Sequence, residues 1–256
     1  MSRSVPHLIG NLGRCGVYLE KEKDIMTVEI VESISDRLVG TEAHRAFVDH
    51  EFFKQVHSRE LSHEHVAMFL GQWWHPLHYF PTFLARCISV LPDIESKSAI
   101  TRILSQETGV RSAKAAHEVI YADSMEKAGY ERRTVTGSEP FAETAALVAW
   151  YEKCSADRCS ALGGIFATEV TDLLMVSAIG EAVKREAGTE RNAWVDIHVT
   201  QEPDHVDQAT NALFSGLAPE QELAVLDSAD EMWRHWTAFF DRLAIETGMV
   251  LPSGRC

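Results

Sequence analysis

Apolar positions recur along this chain at three- and four-residue steps almost throughout, and no stretch alternates with the two-residue period of a strand. The pattern predicts helices over residues 24–40, ending at a glycine stop, and over 43–57. A long apolar helix follows, over 62–91. Ser62 is a good N-cap and Glu64 lies in the first turn, where an acid suits the helix dipole. Pro76 and Pro81 each remove a backbone donor and predict that this helix is kinked or divided. Further helical stretches span 94–109 and 113–129, each closing on glycine, then 140–155, 161–188, 194–217 and 219–246. About seven or eight helices with no strand imply one all-α bundle. It is expected over 25–250, after a loose arm or lid at 1–24.

One octapeptide breaks the usual division of apolar inside and polar outside. Residues 198–205 read HVTQEPDH and offer His198, Glu202 and His205 at i, i+4 and i+7. On a helix these fall within about 60° of one another. Two imidazoles and a carboxylate then face one way, a donor set that suits iron, manganese or zinc. A seven-residue step spans about 10 Å along the axis, too far for one ion but within reach of two ions about 3.5–4 Å apart. Pro203 lies inside this segment, would clash with the Val199 carbonyl, and predicts a kink. It also leaves Asp204 open as the acid in place of Glu202.

In a bundle, a second metal would need acids or histidines on inward helix faces. Glu169 sits in the apolar run ALGGIFATEVTDLLMV, where a charge is costly unless it is paired or bound to a cation. A buried ion pair is the plainer alternative, and Asp172, three residues on, competes for the role. Glu107 ends one helix and His117 begins the next. In one straight helix they would stand about 15 Å apart. Gly109 and the short segment after it can break the rod and fold the two together. Three carboxylates and three imidazoles result: Glu107, His117, Glu169, His198, Glu202 and His205. That complement suits two divalent irons with positions left open for dioxygen and substrate.

Composition narrows the partners. The chain has 256 residues, 45% of them hydrophobic, and 38 acids against 24 bases give a net charge of −14. Such an excess of acid argues against a nucleic-acid backbone or an anionic membrane surface. Five cysteines, an odd number with no CxxC, suggest reduced thiols and a cytoplasmic protein. Cys154 and Cys159 are poorly spaced for a metal pair. Residues 1–25 hold charges and no long apolar run, so no signal peptide is expected, and no stretch reaches about 18 apolar residues without charge, so no membrane-spanning helix is expected.

The string QETG…HEVIYADSMEKAG, then FATEV, then HVTQEPDH resembles the heme-oxygenase-like diiron oxidases and oxygenases. SRELSHEHVAMFLGQWWHPLHYFPTFLA resembles the opening helix of that fold, and the likeness covers about residues 42–242. It implies a bundle of about seven helices. It also implies a non-heme enzyme that uses two irons and dioxygen on a small amino-acid-like or amine substrate in specialised metabolism. The implied reactions are N-oxygenation, desaturation and oxidative C–C or C–N cleavage, by way of a peroxo-bridged diferric species. The motif match makes the six residues above the iron ligands. The family often has Asp where this chain has Glu202. An external electron donor and a homodimer also belong to this expectation.

The aromatic stretch QWWHPLHYF suggests pocket walls. Trp74, His78 and Tyr79, with Asp172, are expected to face substrate, although core packing explains any one aromatic as well. His75 and His78 have no acid near them in sequence and are read as pocket or packing groups. Arg102 and Arg111 flank Glu107 and are candidates to hold a substrate carboxylate. Three rival readings stay open. One is a metal-independent enzyme like thiaminase II or pyrroloquinoline-quinone synthase, of which the thiaminase II likeness would call on a thiol such as Cys159. A non-catalytic helical binding protein would have no use for a buried Glu169. A mononuclear site would follow if Pro203 spoiled one of two.

Overall fold

The computed structural model describes residues 32–213 and 216–251. The arm expected at 1–24 and the first part of the helix expected at 24–40 lie outside the described residues. Among those described there are eleven α-helices and no strand. Three short helices come first: α1 (Ile34–Val39), α2 (Glu42–Val48) and α3 (Glu51–Val56). The longer ones are α4 (His63–Val90), α5 (Ile94–Glu107), α6 (His117–Lys127), α8 (Ala142–Cys154), α9 (Arg158–Ala187), α10 (Ala193–Leu213) and α11 (Pro219–Glu246), with the short α7 (Arg132–Thr136) between α6 and α8.

The expected helix over 43–57 is two helices. His50 is the reason: its Nδ1 accepts the Phe52 N–H at 3.1 Å, capping α3 and ending the run from α2. The division expected at Pro76 and Pro81 does not occur, since α4 runs unbroken for 28 residues. Pro76 is buried and held by packing on the inner face of the bundle. α10 likewise continues through Pro203. That proline is exposed, so the lost backbone bond lies on the solvent side while the opposite face keeps its packing. The short α7 has no clear apolar period and was not expected from the pattern.

α9 is the central post. It packs against α4, α8, α10 and α11. It is also the one described helix long and apolar enough to cross a membrane, but 72% of that stretch is buried among its neighbours. Its closest neighbour is α11, and Gly163 makes the approach possible. A Cβ there would stand 2.3 Å from the Val225 carbonyl oxygen. Trp233 of α11 donates its indole N–H to the Ala167 carbonyl of α9 at 3.1 Å, which fixes the register of the two rods. The core around this contact is aromatic, with Phe47, Phe52, Phe69, Trp236 and Phe240 essentially fully buried. Each such side chain contributes about 1.5–3 kcal/mol by leaving water. That is ample to hold a few strongly polar groups where α5, α6, α9 and α10 meet.

Candidate metal centre

Side chains from four helices, α5, α6, α9 and α10, converge on one point. Glu107 is the last residue of α5 and His117 the first of α6. Gly109, at φ +79°, turns the chain between them. A Cβ at this position would meet the Ser112 carbonyl oxygen at 2.4 Å, so the turn closes only around glycine. The result is that His117 Nδ1 lies 2.9 Å from Glu107 Oε1. Glu169 comes from the middle of α9, and His198, Glu202 and His205 from one face of α10.

The six residues are between 0% and 4% exposed. They fall into two groups, Glu107–His117–His198 and Glu169–Glu202–His205, and within each group the potential ligand atoms lie within 4.8 Å of one another. The groups meet at His205, whose Nδ1 is 3.3 Å from Glu169 Oε2, 3.8 Å from Glu202 Oε2 and 3.9 Å from Glu107 Oε1. Asp204, the alternative to Glu202, is exposed and takes no part.

Each imidazole is held by its far nitrogen. His117 Nε2–H donates to Gln201 Oε1 at 2.9 Å, His205 Nε2–H to Gln106 Oε1 at 2.6 Å, and His198 Nδ1–H to the Trp194 carbonyl at 2.7 Å. This orients the rings, so that His117 Nδ1, His205 Nδ1 and His198 Nε2 face the cluster, where each offers a lone pair to a cation once it carries no proton. Sequence reading missed both glutamines. The only signal was their place immediately before Glu107 and Glu202, in two Gln-Glu pairs.

The electrostatics are those of a site built for cations. Burial pushes the Glu107 carboxyl up, but the charge and hydrogen bond of His117, with His198 and His205 beyond, outweigh it and hold it below the usual range. Burial opposes the charged form of His205, yet Glu169, then Glu107 and Asp172, raise it to about 9. His117 is raised in the same sense against burial, by Glu107 and Gln201. His198 falls to about 4, from burial and then from His117 beside it. Burial, then the crowding of Asp172 and Glu169, drives Glu202 well above the usual carboxylate range. Burial and the charge of Glu169 bring Asp172 to about 7.

A divalent metal pair fits these residues. Glu169 Oε1 and Glu202 Oε1 are buried without a hydrogen-bond partner, and His117 Nδ1 has only its ion-pair contact with Glu107. Orphaned donor atoms of this kind are costly in a folded chain and are what metal ligands look like without their ion.

The centre borders a narrow cavity of about 30 Å³. Its wall is aromatic and apolar, from Trp73, Pro76, Leu77, Phe80, Tyr151 and Trp236, with Thr168, Asp172 and four of the ligand residues at its floor. Tyr151 donates or accepts across to Thr168 at 3.0 Å, which ties the wall to α9. Asp172 is at the cavity, as expected, but Trp74, His78 and Tyr79 are not among its lining residues. Helical register explains the difference. Trp73, Leu77 and Phe80 stand at i, i+4 and i+7 and share the inner face of α4. Trp74 and His78 lie about 100° around the helix, where their rings stack on each other at 5.2 Å and His78 meets Glu118 at 2.6 Å. His75 donates to the Ser138 carbonyl at 3.0 Å and is a packing group. Arg102 and Arg111 are exposed, Arg102 reaching Gln208, and neither borders the cavity. Nor does Cys159, the thiol a metal-independent chemistry would use.

The sequence model of a family described as iron-containing redox enzymes matches residues 67–238. No match was found among curated protein sequences. A solved CADD-like protein of unknown function from Nostoc punctiforme superposes with a TM-score of 0.71 at 16% identity, over 83% of this chain and 98% of that one. A domain of unknown function with a heme oxygenase-like fold from Shewanella denitrificans gives 0.66 at 16%, over 82% and 90%. A TenA homolog from Pseudomonas syringae gives 0.66 at 14%, over 83% and 93%. At such identities these likenesses establish the fold, which is heme-oxygenase-like.

Proposed function

The chain belongs to the family of iron-containing redox enzymes, and from that premise we propose that it is a non-heme diiron oxidase or oxygenase acting on a small amine or amino-acid-like molecule. The observation that carries this reading is the pair of buried groups, Glu107–His117–His198 and Glu169–Glu202–His205, that share one wall of an aromatic cavity. A structural ion pair would need one acid and one base. Here three acids and three imidazoles are buried together at the cost of their hydration, more than one ion pair requires and a donor set that suits bound cations.

Glu107, His117 and His198 would hold one iron and Glu169, Glu202 and His205 the other. Iron held there would supply redox chemistry toward dioxygen, with an external donor as the source of electrons. The protein's own part is positional. Gln106, Gln201 and the Trp194 carbonyl orient the imidazoles toward the centre. Trp73, Leu77, Phe80 and Trp236 exclude water and orient an apolar portion of substrate against the centre. Thr168 and Tyr151 supply neutral hydroxyls within that wall.

Oxygen-electrode measurements on protein loaded anaerobically with ferrous iron test this reading. Small amines and amino acids are added in turn, with Glu169→Ala as the control. Substrate-dependent oxygen uptake that Glu169→Ala abolishes is expected. Uptake no faster than that of ferrous iron in buffer, with every candidate, would contradict it.

A further inference from the structure

We propose that Asp172 is a ligand side chain of the same centre, its fourth carboxylate; this rests on the two-metal reading above. Asp172 follows Glu169 by three residues on α9, so the two side chains share a face. Its Oδ2 is buried with no hydrogen-bond partner. That atom lies 3.9 Å from His198 Nε2, the ring nitrogen turned toward the first group. The same carboxyl lies against Glu202 of the second group. Asp172 therefore touches one residue of each group, at the side that opens to the cavity.

Charge balance leads to the same place. Glu107, Glu169 and Glu202 carry three negative charges when ionised, and two divalent cations would leave one positive charge over. The cavity wall of Trp73, Leu77, Phe80 and Trp236 has nothing to balance it, and no lysine or arginine lines the cavity to claim Asp172 instead. With Asp172 ionised the loaded centre is neutral. Without metal, by contrast, Asp172 only adds repulsion against Glu169 and Glu202. An asparagine of the same shape would serve a purely structural role with less strain, since it hydrogen-bonds Glu202 and carries no charge.

The test is a titration of the full-length, metal-free protein with Mn(II), followed by electron paramagnetic resonance, for wild type and Asp172→Asn. Melting temperatures of both metal-free proteins are measured alongside. Wild type is expected to take up two Mn(II) per chain and to show the signal of a coupled pair. Asp172→Asn is expected to bind the weaker ion about 10- to 100-fold less well, to shift toward the six-line signal of isolated Mn(II), and to melt no lower than wild type when metal-free. An Asp172→Asn protein with wild-type affinity for both ions and an unchanged coupled signal would overturn the proposal. So would one whose metal-free form melts well below wild type, because the side chain would then be holding the fold. Wild type that binds fewer than two ions would contradict the two-metal reading itself, and this inference with it.

Discussion

Gln106 and His205 lie on different helices, α5 and α10, and the amide oxygen of the first accepts the Nε2–H of the second at 2.6 Å. The relationship is reciprocated. Gln201 of α10 accepts from His117 of α6 at 2.9 Å. Each glutamine sits directly before a carboxylate of one group and braces an imidazole belonging to the other. The two halves of the centre are thereby held by each other, with Nδ1 of His117 and of His205 turned inward.

The first prediction concerns these amides. Gln106→Ala and Gln201→Ala should each weaken metal binding about 10- to 100-fold, the usual effect of removing a group that orients a ligating histidine. Co(II) titration monitored by visible absorption measures it. The fold should be little affected, since neither glutamine belongs to the buried core. Unchanged affinity in both variants would mean that packing alone orients the rings.

Metal uptake should release protons. Without metal, His205 titrates near 9 and Asp172 near 7, and Glu202 is held well above the usual range. At neutral pH these groups hold protons that bound cations must displace. Affinity should therefore climb between pH 6 and 9, and calorimetry in buffers of different ionisation heat should register proton release. The metal-free protein should behave in the opposite sense. His205 binds its proton more tightly folded than unfolded, a stabilisation complete below about pH 6.5 and lost as pH rises through 9. Asp172 costs stability once it ionises, from about pH 4 upward and fully above 7. The melting temperature of the metal-free form should fall from pH 6 to 9, and that of the loaded form should fall less.

Gly109→Ala should damage the centre from outside it. The substitution forces an L side chain into φ +79° and places Cβ against the Ser112 carbonyl. Strain of this kind costs about 1–3 kcal/mol, and the clash adds to it. Thermal melting should show the loss, and metal titration should show that the group containing Glu107 and His117 is the one weakened.

Phe80→Ala should separate the cavity from the centre. Phe80 lines the wall and is not a ligand. A large-to-small change here costs about 3–5 kcal/mol at most, reduced by the partial opening of the cavity. Iron stoichiometry should be unchanged while the range of molecules that promote oxygen uptake widens. Loss of iron in this variant would show that the wall and the centre are not separable.

Much of this arrangement was legible along the chain, for identifiable reasons. His198, Glu202 and His205 are readable because helical geometry alone puts them on one face, and Glu169 because an acid inside an apolar run demands an explanation. Glu107 and His117 were legible only through Gly109, whose position between two helices made the turn expected. The cavity wall was not. QWWHPLHYF is aromatic on every side, so composition could not tell Trp73 from Trp74, and only packing against α9 and α11 decides which ring faces inward. The break at His50 was hidden for a different reason. A histidine that caps a helix through its own ring looks, in sequence, like any other polar residue within an apolar period.

The measurement that bears most directly on the account is the number of irons the chain binds. Metal-free protein is titrated anaerobically with ferrous iron, and the bound metal is counted per chain for wild type and Glu169→Ala. Two tightly bound irons in wild type, with at least one lost in Glu169→Ala, is the predicted result. Wild type that binds none or one, or a Glu169→Ala variant that still binds two, would contradict it.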